Sequence, residues 1–207
     1  MDIARSFNKA LRRVPSWPLY IVGMLPAAVY FYWAVTNQLG ADPLKALEHQ
    51  LGLWALQLLI ATLMVTPIRN LCNVNLIKYR RAIGLLAFFY VCLHLLTYVW
   101  LDQQWAWATI WKDITKRPYI IIGMLAFLGL VPLALTSNNL SIRKLGAAGW
   151  KRLHKLVYPI VVLGGVHYLL LVKAWPPKPF VYLGIIAILL AYRFLRSQKR
   201  RLVAQAG

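Results

Sequence analysis

The sequence predicts an all-α integral membrane protein, a bundle of six transmembrane helices with both termini cytoplasmic. Three observations carry that prediction: the composition, the number and length of the apolar runs, and the placement of the basic residues. Of 207 residues, 60% are hydrophobic and 13% aromatic, and the mean hydropathy is +0.58, too apolar for a soluble domain of ordinary usage. Apolar runs fall at 18–37, 51–67, 82–101, 118–136, 153–172 and 177–195, each near the ~20 residues that cross a ~30 Å hydrocarbon core. Six such runs use most of the length, so residues 1–207 are expected to form a single domain.

The formal net charge of +19 does not point to nucleic acid, because the basic residues sit in blocks at alternate ends of the runs. One side holds Arg5, Lys9, Arg12 and Arg13, then Arg69, Lys78, Arg80 and Arg81, then Arg143, Lys144, Lys151, Arg152 and Lys155, and last Arg193, Arg196, Lys199, Arg200 and Arg201. The other side holds only Lys45, Lys112, Lys116, Arg117, Lys173 and Lys178, with the acids Asp42, Glu48, Asp102 and Asp113. Basic residues accumulate on the cytoplasmic side of membrane proteins, so the first side is the inner one.

Each run has its own signals. The first opens at Pro18, is bent at Pro26, and is expected to stay in the mature chain, since it lacks a clear small-x-small cleavage site and five more runs follow. An acidic connection, Ala41 to His49, leads to the second, which Pro67 is expected to end near the inner edge. Arg80 and Arg81 precede the third run, and Trp100, Trp105, Trp107 and Trp111 gather at its outer end, where amphipathic rings favour the headgroup layer. Pro118 opens the fourth, with Pro132 expected to bend it. The fifth begins beside His154 and contains Pro159 and Gly164-Gly165, where a kink or π-bulge is expected. Connections are short, at Arg69 to Arg81, Asp102 to Arg117, Ser137 to Arg152 and Lys173 to Lys178. Neither a GxGxxG nor a P-loop is present, and Cys72 and Cys92 form no CxxC pair, so both are read as structural.

The chemistry must then lie inside the bundle. No Asp or Glu is expected within a span, which argues against a proton- or cation-coupled carrier. His94 stands about seven residues from the outer end of the third run and His167 about five from that of the fifth, and the two runs are parallel, so their depths match. Two imidazoles at one depth could supply both axial nitrogens to a haem iron; the competing reading gives each only a hydrogen bond to a neighbouring helix. His154 precedes His167 by 13 positions, a rise of roughly 20 Å, with the two side chains about 140° apart on a straight helix. It could serve a second, inner haem, although the third run has Arg80 and Arg81 where an inner histidine would be needed. Those arginines are read first as inner anchors and second as partners of haem propionates or of a donor's phosphate. His49 is expected at the solvent or interface.

A series of short motifs runs in order along nearly the whole chain: Leu39-Gly-Ala-Asp-Pro-Leu-Lys45, Thr66-Pro67, Arg80-Arg-Ala-Ile-Gly-Leu85, His94-Leu-Leu-Thr-Tyr98, Arg117-Pro-Tyr119, Leu133-Ala-Leu-Thr-Ser137, Trp150-Lys-Arg-Leu-His154-Lys-Leu-Val-Tyr158 and His167-Tyr168. In this order the chain resembles the haem-binding membrane subunits of protein-methionine-sulfoxide reductase systems (the MsrQ or YedZ family), within the ferric-reductase-like transmembrane superfamily. The resemblance implies a multi-pass protein of the bacterial inner membrane carrying haem b, one or two, with FMN, and with His94, His154 and His167 at the family's haem-ligand positions. It further implies electron transfer from the quinone pool, or from flavin reduced in the cytosol by a flavin reductase, to a periplasmic molybdopterin-containing catalytic subunit that repairs oxidised methionines. The catalytic site would then lie on that partner and no catalytic residue on this chain. The rival readings are a cytochrome-b-type anchor of another oxidoreductase and a membrane scaffold without redox chemistry.

Overall fold

The computed structural model describes residues 2–172, 174 and 176–205; Lys173, counted above on the outer side, and the side chains of Arg200 and Arg201 lie outside that description. Among the described residues the regular structure is all helical: α1 (Asp2–Arg13), α2 (Trp17–Val35), α3 (Pro43–Leu71), α4 (Arg80–Leu96), α5 (Trp107–Lys116), α6 (Pro118–Leu135), α7 (Asn139–Leu153), α8 (Val157–Leu171) and α9 (Pro177–Gln205). A 3₁₀ turn at Ile77–Tyr79 leads into α4, a π-helical segment at Thr97–Asp102 extends it, and a second 3₁₀ turn at His154–Leu156 joins α7 to α8. Among the described residues six stretches are long and apolar enough to cross a membrane: Trp17–Val35, Pro43–Leu71, Ile77–Asp102, Pro118–Leu135, Asn139–Leu171 and Pro177–Lys199. The protein is a multi-pass membrane protein.

Four helices make the centre, with α3 packed on α4 and α6 on α8, while α2 lies against the first pair and α9 against α8 and α3. The space between them is filled by an apolar cluster that includes Leu59, Ile60, Leu63, Ala87, Ile160 and Val161. Because lipid is as apolar as leucine, such a bundle is held by close packing and interhelical hydrogen bonds. Both are visible. A Cβ at Gly23 would lie 2.5 Å from Leu86 and one at Gly165 2.7 Å from Leu183, so these glycines let α2 approach α4 and α8 approach α9. The Tyr90 hydroxyl, on a fully buried side chain, donates to the Gly23 carbonyl at 2.8 Å and accepts from the Ala27 amide at 3.2 Å, bridging one turn of α2 beside Pro26.

Several sequence expectations change at this level. Pro67 does not end the second helix: α3 continues to Leu71. Proline leaves the carbonyl four residues earlier without its helical donor, and here Arg193 of α9 donates to that carbonyl, Leu63, at 2.8 Å and to Thr66 at 3.2 Å. The same helix also starts earlier than its apolar run. Asp42 accepts from the Lys45 amide at 3.0 Å and Pro43 takes the first turn, a start favourable on both counts, so Glu48 and His49 ride on a membrane-length helix that was expected to be free of acids. The irregularity in the fifth span falls at His154–Leu156, before Pro159, which thereby occupies the first turn of α8 where its missing N–H costs little. Two connections read as loops contain helices: α5, and α7, which bends at Gly146 where φ is +69°.

Candidate functional site

His94 lies in the last turn of α4, just before the π segment, and the wider π turn redirects the chain beyond it, as such bulges do near functional sites. The His94 ring lies against Gly52 of α3, where a Cβ would stand 3.2 Å from Nδ1 and Cε1, and its Nδ1 is 2.9 Å from the Glu48 carbonyl. His167 of α8 repeats the arrangement on α6. A Cβ at Gly123 would stand 2.8 Å from its Nδ1, and that nitrogen is 2.7 Å from the Tyr119 carbonyl. In both cases the imidazole rests on a glycine and bonds the carbonyl one helical turn before it. A carbonyl can only accept, so Nδ1 carries the proton at both rings and Nε2 keeps its lone pair.

The two rings are 6.1 Å apart between centroids, with planes at 82°. Both line one cavity of about 360 Å³ that runs from Leu59, Leu130 and Ile160 at its deep end, past Phe127 and Gly164, to a mouth formed by Lys45, Glu48, His49, Asp102, Trp107 and Arg117. His49 is exposed at that mouth, within the first two turns of α3 rather than in a connection before that helix. A hydrogen-bonded frame braces the mouth: Tyr98 donates to Asp113 at 3.1 Å, Asp113 pairs with Arg117 at 3.1 Å, and Arg117 donates to the Tyr119 hydroxyl at 3.1 Å. Asp113 is only 6% exposed, and Arg117, held above its usual range first by the Tyr119 hydroxyl and then by Asp113, stays cationic. The frame ties the π segment, α5 and α6 together at the residue whose carbonyl orients His167.

These residues fit a haem. His94 and His167, their rings 6.1 Å apart in one cavity, would hold its iron through the free Nε2 atoms. Ligating histidines characteristically donate their other ring nitrogen to a carbonyl or carboxylate, as both do here, and the walls between them are mainly apolar.

His154 is not part of that cavity. Its ring stacks on Trp150 with centroids 3.8 Å apart, and Nε2 lies 3.1 Å from the Thr136 hydroxyl. That hydroxyl donates to the Pro132 carbonyl at 2.6 Å and so accepts from His154, which fixes the opposite tautomer from the other two rings. Arg80 is half-buried near His154, while Arg81 is exposed and donates to Asn139 at 2.9 Å. With 14 positions from Arg80 to His94, both arginines stand about 20 Å down α4 from the paired rings. The sequence reasoning missed Gly52, Gly123 and the two orienting carbonyls; a glycine on each of two other spans at the depth of the histidines was the available signal.

The ferric reductase like transmembrane component family matches residues 50–165. The chain is 53% identical over 184 residues, 89% of this chain and 83% of the relative, to the protein-methionine-sulfoxide reductase heme-binding subunit MsrQ of Brucella anthropi. The chain belongs to the MsrQ family. At the same coverage it is 54% identical to the MsrQ proteins of Brucella ovis and Brucella suis. The segment shared with the wider ferric-reductase-like family contains Gly52, His94, Gly123 and His154 and stops two residues before His167, whereas the likeness to MsrQ proteins covers most of the chain.

Proposed function

We propose that this protein is the haem-binding electron-transfer subunit of a methionine-sulfoxide reductase system, with His94 and His167 as the axial ligands of a b-type haem. The observation that carries the proposal is the pair of imidazoles 6.1 Å apart, each with Nδ1 tied to a backbone carbonyl. A haem held there supplies a one-electron carrier within the membrane. The residues of this chain present Nε2, hold each ring against a glycine, and keep water from the deep end of the cavity with Leu59, Leu130 and Ile160. None is needed as a general acid or base, which agrees with catalysis residing on a partner.

In this reading residues 1–207 form one domain of the bacterial inner membrane with both termini cytoplasmic, and the cavity mouth faces the periplasm. Electrons come from the quinone pool or from cytosolic reduced flavin, FMN included, and leave to a molybdopterin-containing reductase that docks on the mouth. His154 ligates or tunes a second centre at the cytoplasmic end, where Arg80 and Arg81 meet its propionates or a donor's phosphate. The family relationship and the names of its members support the role.

The test is the reduced-minus-oxidised visible spectrum of purified protein with haem stoichiometry. Wild type is expected to show a b-type signal that His94→Ala and His167→Ala both lose. A wild type made with ample haem that shows no such signal sinks the proposal.

A further inference from the structure

Only Val14-Pro15-Ser16 separates α1 from α2, the first membrane span. At about 100° per residue, Ala4, Phe7, Ala10, Leu11 and Val14 fall within an arc of roughly 120°, while Arg5, Lys9, Arg12 and Arg13 gather on the opposite side. Asn8 lies on the boundary between the two faces, and the helix is held by this flank. The Asn8 side chain donates to the Asn73 carbonyl and accepts from the Asn75 amide, both at 2.8 Å. The same connection between α3 and α4 also holds the last turn. Lys78 donates to the Arg12 and Val14 carbonyls at 3.0 and 2.7 Å, and the Tyr79 hydroxyl is 2.8 Å from the carbonyls of Leu11 and Val14. The carbonyls that end a helix need such donors, and a cation there also complements the helix dipole.

Two attachments to one short connection lay α1 along the end of the bundle, and neither of its other faces is covered. Phe7 is 50% and Val14 49% exposed, and the exposed apolar line continues into α2 through Trp17 and Ile21. Arg5, Lys9, Arg12 and Arg13 are exposed and form no ion pair among the described residues. A helix of 12 residues is marginal by itself, and hydrogen bonds along one flank leave its apolar arc to be buried by something else. A soluble partner would have to follow that arc into the hydrocarbon layer, because the line of exposed apolar side chains runs straight on into a span. A bilayer covers the same arc without that conflict, and its headgroups meet the cations on the other side. A helix attached sideways, apolar on one hand and cationic on the other, has the arrangement of one lying in the membrane interface, and its basic face favours anionic lipid.

We infer that α1 is an in-plane membrane anchor: the Phe7 and Val14 side is sunk into the bilayer surface, and Arg5, Lys9, Arg12 and Arg13 bind the headgroups of anionic phospholipids. The partner is the lipid surface itself. The inference goes beyond the proposed function and does not depend on haem at His94 and His167.

The test uses the full chain in nanodiscs, with Cys72→Ala and Cys92→Ala and a nitroxide attached at Phe7→Cys or Lys9→Cys. Collision with oxygen, which concentrates in the bilayer, and with a water-soluble nickel chelate reports where each position lies. In discs of phosphatidylcholine with phosphatidylglycerol, the ratio of oxygen to nickel collisions is expected to be severalfold higher at the Phe7 position than at the Lys9 position. Replacing Arg5, Arg12 and Arg13 by Gln is expected to lower the ratio at the Phe7 position, as is pure phosphatidylcholine, with no further loss when the two are combined. Equal ratios at the two positions put α1 in water and overturn the inference. Few collisions with either reagent at the Phe7 position mean that protein covers the face, which overturns it as well. A ratio there that ignores lipid charge overturns the assignment to anionic headgroups. His94→Ala is expected to leave both ratios unchanged, so this inference and the haem proposal can fail separately.

Discussion

At the scale of single residues the decisive features are two glycines. A methyl group at Gly123 would stand 2.8 Å from the His167 ring nitrogen that bonds Tyr119, inside any contact a Cβ tolerates, whereas at Gly52 the nearest ring atoms are at 3.2 Å. The neighbour in each case is a ring already fixed by a short hydrogen bond, so it cannot swing away as a flexible chain end would. Gly123→Ala is therefore expected to break the Tyr119 bond and lower haem affinity by about 10–100-fold, the usual effect of losing a ligand's orienting partner, while Gly52→Ala weakens it by less than about tenfold. Haem per protein after purification at a fixed haem supply measures both, and equal retention in the two variants would show that the close approach to Gly123 is irrelevant. The histidines themselves were legible in the sequence, because an imidazole inside an apolar run is costly and two at one depth stand out. The glycines were not, because a glycine in a membrane helix has many uses and only its neighbour on another helix says which one applies.

At the scale of elements, prolines mark where one helix reaches into another. Pro67 opens the Leu63 carbonyl to Arg193, and near Pro26 the Tyr90 hydroxyl spans Gly23 and Ala27. The sequence showed each proline and therefore a local bend, but read Pro67 as a helix end, since the donor that lets α3 continue comes from a residue 126 positions away. The start of the same helix was hidden for a related reason: Asp42 and Pro43 begin it eight residues before the apolar run at 51, so hydropathy alone set its boundary too late and left Glu48 outside. Tyr90→Phe is expected to cost about 1–2 kcal/mol, the value of a buried hydrogen bond whose partners lose their bridge. Because Tyr90 does not line the cavity, the variant is expected to unfold at lower temperature while keeping the full b-type signal. A loss of haem in step with stability would mean instead that the α2 bridge shapes the cavity.

For the molecule as a whole, if each of the six candidate spans among the described residues crosses the membrane once, both ends of the chain lie on one side, and the proposal that this side is cytoplasmic rests on the basic residues. The connections at the Arg80 end carry most of the Lys and Arg, and those at the cavity mouth carry few of them along with nearly all the acid. Charge bias of that size in short connections normally fixes orientation, so the mouth of the histidine cavity should open to the periplasm and the Arg80 end of the bundle should face the cytosol. The chain contains its own reporter. Cys72 is exposed, directly after α3 on the basic side, while Cys92 is half-buried within α4. In intact spheroplasts a membrane-impermeant maleimide is expected to leave Cys72 unlabelled and to label it once the membrane is permeabilised. A cysteine placed by Gln104→Cys, in the turn between the π segment and α5 where the backbone already adopts φ of +47°, should show the reverse, labelling before permeabilisation. Cys92→Ala removes the remaining thiol from the comparison. Labelling of Cys72 in intact cells would invert the bundle, place the cavity mouth on the cytosolic side, and leave a periplasmic reductase with no access to it.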